Sequence, residues 1–380
     1  MNIADIKRIT DKVVLDNHYL TVDEAALLFA ASTDKELEII KQSADDLRKR
    51  LVGDQVSYTI NLNVNFTNIC ECSCLFCGFR CSEGDDNSYI ITIDELDGKL
   101  NEATKKGAME ICFQGGLYSK LQIPGLKSKN ILDLYAKLLA WVKDNYPEVI
   151  THSYSPEEID FLSYMTDKSL IYVLEYLKDN GLDTMPGTAA EILVDDVRKK
   201  VCPKKLTTAR WVEIIKLAHQ LNIPTTSTIM YGHFESNLDL AKHLEVLRNI
   251  QKETGGITEF IPLPLVATKT ALAKLVKPLT SEDRLKMLAI SRLYFADLIP
   301  NIQASWVKQG MEETLESLSW GVNDVGGTLG DERITNAAGG TFGKAVEAVD
   351  LVEIICKASK KPVLRDTYYN HLMANICLAC

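Results

Sequence analysis

The sequence lacks the features that mark several large classes of protein. No run approaches the ~18 apolar residues that a membrane-spanning helix needs, and residues 1–7 have no basic stretch followed by an apolar core, as a signal peptide would. Basic residues are outnumbered, because 42 Lys and Arg stand against 52 Asp and Glu, for a net charge of −10. No basic block typical of a nucleic-acid-binding protein is present. We therefore expect neither a membrane nor nucleic acid as a partner.

The length and composition are those of a large globular chain. Apolar residues make up 46% and charged residues 25% of the 380 positions, which excludes a disordered, collagenous or coiled-coil protein. This length suffices for one large α/β barrel with extensions. The sequence also lacks an internal repeat and a low-complexity linker, so nothing divides the chain into an array of modules.

The ten cysteines are the most informative feature of the composition. Five of them, at positions 70, 72, 74, 77 and 81, fall within twelve residues. A disulfide scaffold would instead spread its cysteines through a small secreted chain. This clustering favours metal ligation in a reducing compartment, and we expect a cytoplasmic protein.

Three regions are predicted along the chain. Residues 1–55 form a helical extension, in which Thr21 with Glu24 and Thr33 with Glu36 match the capping box that begins a helix. Residues 56–340 form the main domain. Residues 341–380 form a C-terminal helix, over 342–359, and a tail, and both pack on the main domain.

The main domain alternates strands and helices. Eight strands are predicted at 58–66, 109–114, 149–152, 184–186, 224–230, 257–262, 301–305 and 320–323. Helices are predicted at 93–106, 131–145, 168–180, 207–221, 238–254, 281–298 and 309–319. Such alternation implies parallel strands with right-handed crossovers. It predicts an α/β fold, a (β/α)8 TIM-like barrel, with an open doubly wound sheet as the alternative.

A cysteine motif follows the first strand directly. Cys70, Cys74 and Cys77 have the spacing Cys-x3-Cys-x2-Cys, so three thiolates in eight residues can turn to one small metal centre. Thiolates favour zinc, copper(I) or iron–sulfur centres. Cys72 lies two residues from both neighbours and would strain a shared site, so the fourth ligand of a closed zinc site is missing. Three ligands on a 4Fe-4S cluster would leave one iron open. A zinc site or free thiols stay as alternatives.

This motif after the first strand of a barrel resembles the radical S-adenosylmethionine (SAM) superfamily. The resemblance implies one 4Fe-4S cluster bound by Cys70, Cys74 and Cys77, with SAM on the open iron as the source of a 5′-deoxyadenosyl radical. Further residues are similar to the family's SAM-binding elements: Phe76, Gln114, Gly115, Gly116, Glu191, Lys205, Met230 and Glu235. Two positions depart from the pattern, since Leu117 follows the paired glycines and Thr228 replaces a glycine.

Four longer stretches resemble the subgroup that builds deazaflavins and, by the futalosine route, menaquinone. They begin at Met185, Pro224, Phe260 and Gly321. The first two are most similar to the tyrosine-using subunits of FO synthase, the 5-amino-6-(D-ribitylamino)uracil–L-tyrosine 4-hydroxyphenyl transferases. The resemblance implies cleavage of the Cα–Cβ bond of L-tyrosine and addition of the 4-hydroxybenzyl group to the aminouracil. Aminofutalosine synthase and a non-catalytic metal-binding module are the alternatives.

The same resemblance implies roles for polar residues at the later strand ends. Substrate binding or proton transfer is predicted for Tyr231, His233, Asn323, Asp324, Glu332 and Arg333. The implied partners are the two small-molecule substrates, a reductant protein and the second FO synthase subunit. Cys112 is predicted to be a core residue, Cys202 and Cys356 have no predicted role, and Cys377 with Cys380 are predicted to be a thiol pair without an auxiliary cluster.

Overall fold

The structure is a computed structural model that describes residues 3–372. It begins with three helices, α1 (Ile3–Val14), α2 (Val22–Phe29) and α3 (Asp34–Val52). Both predicted capping boxes are present, because the hydroxyls of Thr21 and Thr33 accept hydrogen bonds from the backbone N–H of Glu24 and Glu36. The helical extension predicted for the N-terminal residues is thus confirmed as secondary structure.

The strands that follow are parallel to their neighbours, apart from the last. They are β1 (Gln55–Thr59), β2 (Asn61–Asn65), β3 (Glu110–Gln114), β4 (Ile150–Ser153), β5 (Thr225–Tyr231), β6 (Ile257–Pro264), β7 (Asp324–Gly327), β8 (Lys361–Arg365) and the antiparallel β9 (His371–Leu372). Their helical connections are α4 (Ile93–Lys105), α5 (Ile131–Asn145), α6 (Pro156–Thr166), α7 (Leu170–Asp179), α8 (Asp195–Val201), α9 (Thr208–Gln220), α10 (Asn237–Thr254), α11 (Ser281–Phe295), α12 (Trp306–Gln309), α13 (Met311–Ser317), α14 (Ile334–Ala337) and α15 (Ala348–Lys357).

Strand pairing runs through the chain in sequence order. β2 pairs with β3 and β3 with β4. Single bridges at Thr184 and Met185 connect β4 to β5, which pairs with β6. Bridges at Ile302 and Gln303 then connect β6 to β7, which pairs with β1. Since β1 leads directly into β2, this order is that of an α/β barrel, as predicted.

The first predicted strand is divided into two by its partners. β1 pairs with β7 and β8, whereas β2 pairs with β3. Beyond the break, Asn63 N–H donates to the carbonyl of Leu329, 2.8 Å away, so β2 also contacts the segment after β7. A period of two in the sequence cannot reveal this break, because both halves keep the same alternation.

Three other predicted strands differ from the structure. Residues 184–186 and 301–305 form only isolated bridges. The strand predicted at 320–323 is wrong in position, since β7 begins at Asp324. Gly321 has a φ of 88°, which places a turn there and delays the strand.

The helix predictions hold better than the strand predictions. The seven helices predicted in the main domain are all present, with ends that differ by at most three residues. α6, which was not predicted, begins with a capping box formed by Ser155 and Glu158. The C-terminal helix is shorter than predicted, and the tail after it contains β8, which pairs with β1. The proposed division into three regions stays a prediction.

The N-terminal helices pack on the outer helices of the barrel. α2 contacts α10, and α3 contacts α11. The guanidinium of Arg248 on α10 donates to the carbonyl of Leu20 at 2.6 Å, which fixes the start of α2 against the barrel. Among residues 3–372, no helix combines the length and apolar character required to cross a membrane.

Candidate active site

A cavity of about 410 Å³ lies within the barrel. Its wall includes alternate residues of β2 and β3, because every second side chain of a barrel strand points inward. The register pairs Asn61 with Glu110 and Asn65 with Gln114. At a rise of ~3.3 Å per residue, Glu110 and Gln114 are separated by about 13 Å along the strand. The cavity therefore has a lower end at Glu110 and an upper end at Gln114, where the strand ends.

The upper end is formed by the loop after β2, which carries the clustered cysteines. Cys70, Cys72, Cys74 and Cys77 all line the cavity, and Cys81 does not. Cys81 instead connects the end of the loop to its start through two backbone hydrogen bonds. Cys70 N–H donates to the Cys81 carbonyl at 3.1 Å, and Cys81 N–H donates to the Asn68 carbonyl at 2.8 Å. The predicted clustering of thiols at a strand end is present.

The donor set at this loop is suited to iron–sulfur chemistry. The Leu117 N–H lies 3.4 Å from Cys70 Sγ, the kind of hydrogen bond that tunes a cluster sulfur. Among the described residues, no group of three or more His, Cys, Asp or Glu side chains could hold a metal ion as they are placed. The thiols of an iron–sulfur site bind different irons, so they need not meet at one point.

The paired glycines at the end of β3 pack against this cysteine loop. A Cβ on Gly116 would lie 2.1 Å from the carbonyl oxygen of Ile69, and one on Gly115 would lie 2.3 Å from the ring of Phe66. Both glycines also line the cavity. Their lack of a side chain lets the end of β3 approach the loop after β2.

A buried ion pair stands beside the cysteine loop. Lys205 Nζ lies 2.7 Å from Glu191 Oε1 and 5.6 Å from the centre of the Phe76 ring. Burial by itself lowers the pKa of Lys205, but Glu191 and other nearby acidic groups raise it well above its ordinary value. Lys205 is therefore a charged residue at the upper end of the cavity.

The loop that carries Glu191 is fixed by a buried arginine. Arg198, 3% exposed, donates to the carbonyls of Ala190, Ile192 and Leu206. Glu191 has a φ of 44°, a left-handed conformation that costs energy in any residue except glycine. The arginine offsets this cost by satisfying the turned carbonyls. Its place in a charged helical segment gave no signal of this role in the sequence.

Two further acids, Glu157 and Glu158, line the cavity at the start of α6. Glu158 accepts hydrogen bonds from Ser155 and, at 3.2 Å, from the N–H of Gly115. Burial raises the pKa of Glu158 to about 7, although these donors oppose the shift. The sequence reasoning missed both residues. The pattern Ser155-x-x-Glu158 directly after a predicted strand was the signal that could have revealed them.

A network of buried charges closes the lower end. Arg365 Nε lies 2.7 Å from Asp324 Oδ2, and its second nitrogen lies 3.4 Å from Glu259. Thr367 donates to Glu110 at 2.7 Å. These contacts involve five buried residues. The sequence reasoning missed four of them: Arg365 and Thr367 because β8 was not predicted, and Glu110 and Glu259 although both lie in predicted strands.

The structure brings most of the predicted SAM-binding residues together. Seven of them line the one cavity: Phe76, Gln114, Gly115, Gly116, Glu191, Lys205 and Met230. Glu235 does not line it. Its carboxylate accepts from the N–H groups of Gly232 and His233 and so caps the loop after β5.

The residues predicted for substrate binding are divided. Glu332 lines the cavity, and its carboxylate accepts from Thr335 N–H at 2.9 Å. Tyr231, His233, Asn323, Asp324 and Arg333 do not line it. The ring of His233 lies 2.7 Å from Glu235, away from the cavity. The substrate roles given to these residues stay predictions.

Contacts outside the cavity explain two of these positions. Asn323 accepts from Arg292 and from the N–H of Ile302, at 2.5 and 2.9 Å. Arg333 pairs with Asp331 at 2.7 Å and lies 5.2 Å from the centre of the Tyr89 ring. These contacts hold the barrel wall and the loop before α14.

The remaining cysteines have different surroundings. Cys112 is not a core residue, so that prediction is wrong: it lines the cavity, because Ile111 and Phe113 take the opposite face of β3. Cys202 is buried, and Cys356 lies in α15. Cys377 and Cys380 lie outside the described residues.

Comparison with protein families identifies two matching regions. Residues 64–247 match the family described as the radical SAM superfamily, and residues 254–376 match the CofH/MqnC C-terminal region.

Three curated relatives are each described as a 5-amino-6-(D-ribitylamino)uracil–L-tyrosine 4-hydroxyphenyl transferase. The chain is 42% identical over 345 residues to the protein of Methanococcus maripaludis strain C5, covering 89% of this chain and 93% of the relative. It is 42% identical over 352 residues to that of Methanothermobacter thermautotrophicus, covering 92% and 94%. It is 44% identical over 329 residues to that of Archaeoglobus fulgidus, covering 87% and 92%.

Solved structures agree on the fold. Methylornithine synthase superposes with a TM-score of 0.70 at 17% identity, covering 93% of this chain and 97% of that one. The FeFe-hydrogenase maturase HydG from Carboxydothermus hydrogenoformans gives 0.70 at 16% identity, covering 96% and 81%. At these identities the likeness establishes the fold alone. It agrees with the TIM-barrel-like order of strands around the cavity described above.

Proposed function

The chain belongs to the radical SAM family of 5-amino-6-(D-ribitylamino)uracil–L-tyrosine 4-hydroxyphenyl transferases, and on this premise we propose that it catalyses that transfer. The 4-hydroxybenzyl group of L-tyrosine moves to the aminouracil in the biosynthesis of the deazaflavin chromophore FO. The observation that carries the proposal is identity of 42% to 44% over more than nine-tenths of each of three relatives.

A 4Fe-4S cluster bound by Cys70, Cys74 and Cys77 is part of the proposal. Their spacing supports it, as does the position of all three thiols on the cavity wall. When bound, the cluster and SAM supply the one-electron chemistry that generates a 5′-deoxyadenosyl radical, which is chemistry that no side chain provides. Cys72 also faces the cavity, and the motif spacing is what separates it from the three proposed ligands.

The protein's own contribution is to hold SAM at the upper end. Gln114 and the backbone of Gly115 and Gly116 border the cysteine loop, and we assign them to the methionyl part of SAM. The charged pair of Lys205 and Glu191 beside Phe76 can hold a zwitterion next to an adenine ring. Met230 completes the apolar wall on β5.

The lower part of the cavity is where we place the polar substrate. Asn63, Cys112 and His152 lie in one register row across β2, β3 and β4 and all line the cavity. Burial lowers the pKa of His152, so its ring is neutral at neutral pH. Neutral donors and acceptors suit the carbonyl and N–H groups of a uracil ring and the hydroxyl groups of a ribityl chain. Burial also excludes water, which would otherwise quench a reactive intermediate.

The cellular setting completes the proposal. We infer a reductant protein as the electron donor and the second FO synthase subunit as a functional partner. The clustered thiols fit a reducing cytoplasm.

The test is product formation by the anaerobically reconstituted protein. SAM, a reductant, L-tyrosine and 5-amino-6-(D-ribitylamino)uracil are incubated together, and products are separated by liquid chromatography with mass detection. We expect 5′-deoxyadenosine and a 4-hydroxybenzyl adduct of the uracil, with tyrosine labelled in the ring passing its label to the adduct. Deoxyadenosine without tyrosine consumption would reject this function, and zinc without iron in the protein would reject any radical SAM activity.

A further inference from the structure

Four cationic side chains line the cavity: Arg80, Lys205, Lys308 and Arg365. Lys205 is paired with Glu191, and Arg365 with Asp324. Arg80 donates to the carbonyl of Cys70 at 3.0 Å. Within residues 3–372, Lys308 is the exception, since its ammonium has no hydrogen-bond acceptor and no carboxylate within 4.0 Å.

The fold directs Lys308 into the cavity. The five consecutive residues 304–308 all line it, in the connection after the bridge residues Ile302 and Gln303. α12 is anchored at its start, because Trp306 Nε1 donates to the carbonyl of Gly327 at 2.9 Å. Side chains that follow the carboxyl ends of barrel strands are the usual site of ligand contact.

An unpaired ammonium in such a place is costly. Burial lowers the pKa of Lys308, and only the more distant charges of Glu332, Glu191 and Cys77 oppose the shift. Lys308 is half-buried, and a cation that is partly withdrawn from water is ordinarily paired with an anion or given hydrogen-bond acceptors. An anionic group on a ligand would supply the missing partner.

We propose that Lys308 binds the carboxylate of the amino-acid substrate. This inference rests on the proposed function, which requires two carboxylates in the cavity, one on SAM and one on tyrosine. Lys205 lies over Phe76, and its charge acts on Cys70, Cys74 and Cys77. Lys308 lies instead in the connection after the bridge residues Ile302 and Gln303, outside the cysteine loop. Lys205 is thus the cation nearer the centre of the SAM end, which leaves Lys308 for tyrosine.

The experiment compares ligands that differ in the carboxylate. Anaerobically reconstituted enzyme is saturated with SAM without a reductant, so that no turnover occurs, and is titrated calorimetrically with L-tyrosine or with tyramine, which lacks the carboxylate. Lys308→Met removes the charge, Lys308→Arg keeps it, and Lys216→Met is the control, because Lys216 pairs with Glu253 on the outer helices.

We expect Lys308→Met to weaken tyrosine binding by about 30-fold or more, as loss of one partner of a buried charge pair does. Tyramine binding should be unchanged or tighter, Lys308→Arg should retain most of the tyrosine affinity, and Lys216→Met should match the wild type. The melting temperature of Lys308→Met should not fall, because the variant loses a half-buried charge that no residue within 3–372 pairs with.

Three results would overturn the inference: unchanged tyrosine affinity in Lys308→Met, equal losses for tyrosine and tyramine, or a loss confined to SAM binding. The product assay separates this failure from that of the proposed function. A wild type that forms the adduct, together with a Lys308→Met variant of normal tyrosine affinity, rejects only the role of Lys308. A wild type that neither binds nor consumes tyrosine rejects the function as well.

Discussion

At the scale of single residues, the cavity wall is distinguished by charges that are buried. Glu158 is 2% exposed, and Arg365 is 3% exposed. Each has a defined set of partners: Ser155 and Gly115 for the first, Asp324 and Glu259 for the second. Such groups are expensive to bury and are retained where they position other groups or bind ligands. They are therefore the residues at which substitution and pH have the clearest effects.

Glu158 should make the protein less stable as the pH rises. Its pKa is raised by burial from 4.5 to about 7, so between these values the unfolded chain loses this proton and the folded chain keeps it. The free energy of unfolding then falls as pH rises through this window, by about 3 kcal/mol at most. The measurement is denaturant unfolding under anaerobic conditions from pH 4.5 to 8, with Glu158→Gln as the comparison.

The charged and titratable groups near Glu158 come from several elements. Lys205 opposes the shift from the segment before α9, while Tyr135, Tyr154 and Cys112 sense its charge from α5, the end of β4 and β3. Glu158→Gln should show a flatter dependence of stability on pH than the wild type. The same slope in both proteins would mean that Glu158 ionises normally in the folded state.

The cysteines should divide into cluster ligands and other cavity residues. Cys74→Ala should lose most of the iron and all turnover, because it removes one of three proposed ligands. Cys112→Ala should keep its iron and most of its activity, since that thiol lies on β3 and not on the cysteine loop. Iron content and the visible absorbance of the reconstituted proteins provide the measurement. Equal iron losses in the two variants would refute this division.

At the scale of secondary-structure elements, local signals place helices more reliably than strands. α3 begins at the capping box of Thr33 and ends at Gly53, whose φ is 66°. Both signals are within a few residues of the helix end that they fix. A strand's limits depend instead on its neighbours, as the division of β1 from β2 demonstrates. The caps can be tested individually for this reason.

Thr33→Ala should lower the free energy of unfolding by about 1 kcal/mol. The change removes the hydroxyl that accepts from the N–H of Glu36 at the start of α3. Thr33→Ser retains the acceptor and should cost much less. Thermal unfolding of the two variants beside the wild type measures the difference. Equal destabilisation by Ala and Ser would indicate that the methyl group, and not the cap, supports the helix.

At the scale of the whole molecule, segments before and after the alternating strands and helices pack against them. The N-terminal helices cover α10 and α11, and the residues after α15 return to the sheet as β8 beside β1. β8 brings Arg365 to the lower end of the cavity, where it meets Asp324 of β7. Residues more than three hundred positions apart thus share one sheet, so that sheet depends on both segments.

Arg365→Met should destabilise the protein by about 3 kcal/mol or more, because Asp324, which is 0% exposed, is left without its cation. Adding Asp324→Asn should recover part of the loss.

Arg333→Met is the matched control for Arg365→Met. Its ion pair with Asp331 is partly exposed, so its loss should cost at most about 1 kcal/mol. Denaturant unfolding measures all three. A double variant no more stable than Arg365→Met would contradict a specific charge pair.

The sequence by itself determined the α/β class, the N-terminal helices and the cysteine loop at the end of the first strand. Each depends on signals close together in the chain: periodicity, caps, or three thiols in eight residues. Only the tertiary structure decided that Cys112 faces the cavity, that Arg365 meets Asp324, and that Lys308 has no partner. The absence of a partner for Lys308 refers to residues 3–372. These facts depend on which strands are neighbours and which face turns inward. Local pattern leaves both open, because a strand alternates identically whichever face is buried.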